Sequence, residues 1–332
     1  MTTTGLLCAI ALSVLALPAF AQGPIILKFS HVVAPDTPKG KAALKFKELA
    51  EARTKGTVRV EVYPNSQLAK DQEEMGALQL NAVQMLAPSV SKFGPIGVRE
   101  FEVFDLPYII PDRDTLYRVT EGEVGRKLFA KLEPKGIKGL AYWDNGFKHM
   151  SANRPLRKLP DLRGLKVRIQ SSKVLEAQMK ALGAIPRAMA FSETYTALQQ
   201  GVVDGTENTL SNMYTQKMHE VQKHLTLSEH GYILYAVIVN KKFWDGLPAK
   251  IRTALEAALA EATGYEHEIA RAENEAALAA IKAAKTTEIT VLPPEERARW
   301  RDALLPVHRK FERMVGKDTI DAFYAAANNK QN

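Results

Sequence analysis

The order of strand and helix signals in the first part of the chain restricts its fold more than any single motif does. Residues 25–31 alternate apolar and polar side chains, as a half-buried strand does. Thr37 ahead of Pro38 reads as an N-cap followed by a first-turn proline, and a helix over 39–54 puts Ala43, Phe46, Leu49 and Ala50 on one face. Gly56 stops it, 58–62 alternates as a second strand, 63–67 turns into a helix through Leu80, and 83–87 is a short third strand. Strand, helix, strand, helix, strand implies parallel pairing through crossover helices. Sheets built that way collect ligands at the C-terminal ends of their strands.

A second alternating series follows a less regular stretch. Residues 101–107 are apolar and end in Pro107, which reads as a core-packed loop, and helices follow across 112–133. Residues 137–144 form a strand that runs through Asn145 and Gly146 into 147–151. The Asn-Gly pair makes either a hairpin or the place where the chain crosses between lobes, and spacing leaves both open. Then come a strand at 165–169, a helix over 172–182 and a strand at 184–189. Ser192 is an N-cap candidate for a helix over 195–200 stopped by Gly201, and 202–208 runs from a short strand into a turn. Residues 230–240 are a long apolar strand. From Pro248 to about residue 284 there is no further proline and one glycine, so the segment is one very long helix or a helix kinked near Gly264. Pro293 and Pro294 open a last helical stretch with Trp300, Leu304, Val307 and Phe311 at helical spacing.

A chain of 332 residues exceeds one small core, and two α/β lobes are the natural expectation. We divide it into 1–21 as a signal peptide, 22–145 with about 232–270 as the first lobe, and 146–231 with about 271–332 as the second, the C-terminal helices packing across both. Residues 6–17 are apolar but too short to span a bilayer, and Ala19 and Ala21 supply small residues for a cut before Gln22. The segment before that run has no Lys or Arg. The single cysteine, Cys8, lies inside this leader, so the mature chain has no thiol to pair. These features point to an exported protein of the periplasm. The net charge of +8 is spread among acidic residues with no basic run interleaved with aromatics, which argues against a nucleic-acid partner.

One residue stands out chemically. Within 164–172, Leu165, Val167 and Ile169 alternate as a buried strand face, and Arg168 points the other way, just before a Ser-Ser helix start. A guanidinium there can take a carboxylate in two parallel hydrogen bonds, beside the free N–H groups of the helix start. An arginine in such a place more often pairs with a neighbouring carboxylate of the chain itself. Enzyme signals are weak. His219 and His224 are five apart, off one helical face, with Lys223 at the position a zinc motif needs, and the sequence has no nucleophile elbow or phosphate loop. Asp144, Asp204 and Glu207 are acidic residues that most often cap turns or pair with basic groups. Nothing requires an enzyme, a metal or a cofactor.

The segments 28–40, 63–68, 143–148, 164–169, 189–193 and 203–208 occur in an order that resembles the substrate-binding proteins of TRAP transporters, closest to the C4-dicarboxylate-binding DctP family. The resemblance covers essentially the whole mature chain, and 145–150 with 170–173 is more particular to the dicarboxylate branch. It implies two α/β lobes closing on an organic acid, with a long helix spanning both. It implies that Arg168 clamps the ligand carboxylate, that Asn208 is a further donor to it, and that Phe191 packs on the carbon skeleton. Lys148 stands where many relatives carry a second basic group. Ser89, Gln67 and Ser171 are polar candidates, and Lys39, His31 and Lys92 are candidates for a second carboxylate. Implied partners are the small and large TRAP permease components and a dicarboxylate such as succinate, fumarate or malate, with a membrane sensor as a further one. Alternatives are the same machinery with a 2-oxo acid or sugar acid, or an exported enzyme acting on an organic acid.

Overall fold

The computed structural model describes residues 23–328; the leader with Cys8 and its cleavage point lies outside them. Nine strands form one sheet: β1 (Ile25–Ser30), β2 (Val58–Tyr63), β3 (Met85–Leu86), β4 (Ile137–Ala152), β5 (Lys166–Ile169), β6 (Ile185–Ala188), β7 (Gly205–Asn208), β8 (His224–Asn240) and β9 (Glu288–Val291). Their order is β2-β1-β3-β8-β4-β7-β5-β6, with β9 beside β8. β1 pairs in parallel with β2 and β3, and β5 pairs in parallel with β6 and β7, as the crossover helices demand. β4 and β8 are antiparallel and join these two wings. The first half of β4 runs against the end of β8 beside β3; its second half runs against β7 and the start of β8. Each wing with its helices is one lobe of an α/β protein.

Asn145 and Gly146 make no hairpin. β4 continues through them with a register shift between Asp144 and Gly146, and Gly146 takes φ +110°, a region that favours glycine. Residues 101–105 are not a loop; only 106 and 107 are. Arg99–Asp105 is a 3-10 helix, whose three-residue turn stacks Phe101 and Phe104 on one buried side. Ser192 is not an N-cap. The helix Thr194–Gln199 is entered through the 3-10 turn Phe191–Glu193, with Glu193 at the cap making no side-chain capping bond, so short i→i+3 bonds take the place of a cap. β9 escapes sequence reading because its four residues lie between a long helix and a Pro pair.

The helix Ala249–Ala284 runs unbroken through Gly264 and measures about 54 Å at 1.5 Å per residue. Leu255, Leu259 and Ala262 enter the core behind β1 and β2, while Ala277 and Ile281 enter the core around Leu198 and Val203. One helix therefore belongs to both lobes. The helices after β9 also cross. Trp300 and Leu304 pack with Val167 and Ile169, whereas Phe311, Ile320 and Phe323 complete the core that holds Leu78, Phe101 and Phe104.

Candidate functional site

β5 lies between β6 and β7, with Val167 and Ile169 in a hydrophobic core and Arg168 on the other side, 1% exposed. Its Nε and Nη2 donate to one acceptor, the Met189 carbonyl, at 3.1 and 2.8 Å. Among the described residues, no carboxylate lies within ion-pair distance of it. The Phe191 ring sits 5.7 Å from the guanidinium carbon. A backbone carbonyl thus fixes the fork without neutralising it, and the guanidinium keeps its charge for something else.

The first lobe brings up a second cation. Lys92, on the turn Val90–Lys92 after β3, places Nζ 2.6 Å from Asp71 Oδ1 and 2.7 Å from Glu74 Oε1. Asp71 Oδ2 accepts the Phe191 N–H at 2.7 Å, so this carboxylate touches both lobes. Burial works to raise the Asp71 pKa, but Lys92, Arg168 and the Phe191 N–H outweigh it and hold it at about 2.

A cavity of about 90 Å³ lies between the cations, lined by Arg168, Lys92, Asp71, Gln170, Ser171 and Met189. A smaller one of about 10 Å³ shares Asp71, Lys92 and Gln170 with it and adds Ser89, Phe191, Asn208, Asn212 and Tyr235. A wider pocket of about 390 Å³ adjoins at Ser171, but its Glu102 already accepts from Ser172 Oγ and from the Lys173 and Val174 N–H groups that open a helix. Asn208 Oδ1 accepts from Thr209 N–H at 2.9 Å and Asn212 Nδ2 at 3.0 Å, which commits its oxygen and leaves its Nδ2 as the donor end.

The structure brings Arg168, Lys92, Asn208, Phe191, Ser89 and Ser171 together around this cleft. The other four candidates sit elsewhere. Lys148 is 2.8 Å from Glu207 Oε2 in a fully buried ion pair with His230 alongside, and lines neither cavity. Lys39 is buried behind the cleft, donating to the Ala87 carbonyl at 2.9 Å with its ammonium 3.6 Å from the centre of the Tyr235 ring. Burial lowers its pKa to about 7, and the Lys92 charge adds to that. His31 is buried, and desolvation with Lys39 nearby pushes it down to about 3. Gln67 is exposed on the loop after β2. The acidic residues weighed as catalysts are engaged in structure: Asp144 with Tyr117, Tyr232 and Arg113, Asp204 with the Lys166 N–H, and Glu207 with Lys148. Asp71, Asn212 and Tyr235 line the cleft and carried no sequence signal, while Gln170 lies in the segment 170–173 already noted as particular to the dicarboxylate branch. The pair Asp71 and Glu74 ahead of a helix looks like ordinary first-turn acid.

Two α/β lobes joined by a pair of long strands, with buried cations from each facing a small internal cavity, define a periplasmic-type binding protein for a small anion. The chain belongs to the DctP family, bacterial extracellular solute-binding protein family 7, whose model matches residues 29–314. It is 66% identical over 319 residues to the C4-dicarboxylate-binding periplasmic protein DctP of Rhodobacter capsulatus, covering 96% of each chain. A TRAP periplasmic solute-binding protein of Shewanella oneidensis solved with bound succinate superposes with a TM-score of 0.89 at 47% identity, over 92% of this chain and 99% of that one. One from Pseudomonas aeruginosa solved with bound L-malate gives 0.84 at 45% identity, over 86% and 100%. The family is one of solute-binding transport proteins and not of enzymes.

Proposed function

We propose that this protein is the periplasmic receptor of a TRAP transporter, that it binds a C4-dicarboxylate such as succinate, fumarate or malate, and that it hands the acid to the small and large membrane subunits. One carboxylate goes to Arg168, with the Asn208 amide as a second donor and the Phe191 ring against the carbon chain. The other goes to the Lys92 side of the cleft. The observation that carries this reading is the placement of Lys92 and Arg168, one from each lobe, on a single cavity of about 90 Å³. A dianion leaving water needs charge-assisted hydrogen bonds at both ends, each worth roughly 1.5–3 kcal/mol net. Cations on opposite lobes make closure depend on both ends of the ligand. The small volume favours a four-carbon diacid over a sugar acid, and the relatives of 40% identity or more that carry a ligand name are named for C4-dicarboxylates, whereas more distant ones are named for sugar acids.

A thermal-shift panel on the mature protein tests it, using succinate, fumarate, malate, a monocarboxylate, a 2-oxo acid and a sugar acid. Saturation at a hundred times Kd adds about 2.7 kcal/mol, a rise of roughly several degrees in a chain of this size. A shift with the C4 diacids alone is the expected result. A shift with the monocarboxylate or the sugar acid instead overturns the dicarboxylate assignment and keeps the arginine clamp.

A further inference from the structure

A chain of buried side-chain hydrogen bonds runs from the centre of the sheet to the cleft, and Tyr235 on β8 is its branch point. The Tyr235 hydroxyl accepts from Asn145 Nδ2 at 2.9 Å and from Asn212 Nδ2 at 3.2 Å. Asn212 Nδ2 also donates to Asn208 Oδ1 at 3.0 Å. Asn145 Nδ2 further donates to Thr209 Oγ1 at 2.9 Å, and Asn145 Oδ1 accepts from Ser211 Oγ at 3.3 Å. Asn145 immediately precedes Gly146, where β4 bulges as it passes from one lobe to the other. Its carbonyl accepts from Asn274 Nδ2 at 2.8 Å, which brings in the helix shared by both lobes.

An amide has nearly the same shape in either orientation, so its bonds decide which end faces a ligand. The Thr209 N–H and Asn212 Nδ2 both require an oxygen from Asn208, which turns the donor end of that amide away from them. Asn212 shares its Nδ2 between the Asn208 oxygen and the Tyr235 oxygen, while its own Oδ1 is buried without a hydrogen-bond partner. Asn145, Asn208, Asn212 and Tyr235 are each buried, where an unmade bond costs more than it does in water.

We infer that Tyr235, acting through Asn212, is a positioning residue for the ligand contact at Asn208, and that the same bonds tie that contact to the bend of β4 at Gly146. This rests on the reading of Asn208 as a ligand donor. Tyr235→Phe isolates the effect, because it removes only the oxygen and keeps an aromatic ring beside Lys39. Succinate titration calorimetry on the wild type, Tyr235→Phe, Asn208→Ala and the double variant forms a closed cycle. Each single variant is expected to weaken binding by roughly tenfold, and the double variant to bind no worse than Asn208→Ala alone. That non-additivity is a readout a merely structural hydroxyl would not produce. Losses that multiply in the double variant, or wild-type affinity in Tyr235→Phe, overturn the inference. Wild-type affinity in Asn208→Ala instead removes the Asn208 reading itself and the inference with it, so the two failures are separable. If Tyr235→Phe lacks a cooperative melt, Asn145→Ser replaces it in the same cycle, since it leaves the tyrosine in place and removes one of its donors.

Discussion

Asp71 and Phe191 meet across the cleft, the carboxylate of the first accepting the backbone N–H of the second at 2.7 Å. The other oxygen of Asp71 holds Lys92 at 2.6 Å, with Glu74 at 2.7 Å on the same ammonium, so negative charge already sits beside the cations proposed to receive a dianion. Asp71 partly neutralises the cleft and also draws the two lobes together. The ligand's charge is added to that balance.

Asp71→Asn removes the charge; with its amide oxygen on the Phe191 N–H, its Nδ2 faces the Lys92 ammonium and releases that cation towards the ligand. We expect succinate to bind roughly tenfold more tightly at low ionic strength, with the gain shrinking as salt screens the site. Calorimetry at two salt concentrations checks this. Weaker binding at both would mean that Asp71 serves chiefly to position Lys92.

Arg168→Lys keeps a positive charge but loses the planar fork, and a single ammonium cannot both hold the Met189 carbonyl and grip a carboxylate in two bonds. The expected loss of succinate affinity is roughly a hundredfold, with the unliganded melting temperature little changed. Affinity within threefold of wild type would refute the fork as the clamp.

Lys39 gives a pH-dependent stability with a definite sign. Its folded pKa is lowered from 10.5 to about 7, so between those values the unfolded chain binds the proton and the folded chain does not. Stability therefore rises with pH from about 7 to 10.5, and below 7 the folded protein carries the full cost of the buried ammonium. Lys39→Met removes that cost while filling the space. It is expected to melt roughly several degrees higher than wild type at pH 6, with the difference closing towards pH 10. Melts without ligand at several pH values decide it, and a difference independent of pH would contradict the assignment.

Gly146→Ala tests the bulge in β4. An added methyl would take φ +110° and stand 3.2 Å from Asn274 Nδ2. A loss of about 1–3 kcal/mol is expected, read as a lower unliganded melting temperature. An unchanged melt would show that the backbone relaxes freely there.

The alternating wings, the long helix and the strand carrying Arg168 were legible because period-2 and period-3.6 patterns are local. The course of β4 through Asn145 and Gly146 was not, because an Asn-Gly pair suits a tight turn and a bulge alike, and only the pairing of Asp144 with Leu234 and Gly146 with Ile233 separates them. In the cleft, Arg168 stood out by its phase on a strand before a helix start, whereas Asn208 was reached only through the family resemblance. Lys92 was one of three interchangeable candidates until Asp71 and Glu74 proved to hold it. Lys39 could not be told from a cleft residue, since an ammonium sheltered under a tyrosine ring has no sequence signature. Tyr235 was hidden within an apolar strand, where one hydroxyl does not interrupt the pattern.

The last helices complete the first lobe: Phe311, Ile320 and Phe323 close a core begun by Leu78 and Phe101 more than two hundred residues earlier. β8, which must lie between β3 and β4, also arrives late, at 224–240. Contacts so distant in sequence form slowly, because a long loop must close before any of them is rewarded. The first lobe therefore has its full core only once the last helices are in place, and a truncation near residue 300 would leave that core unfinished.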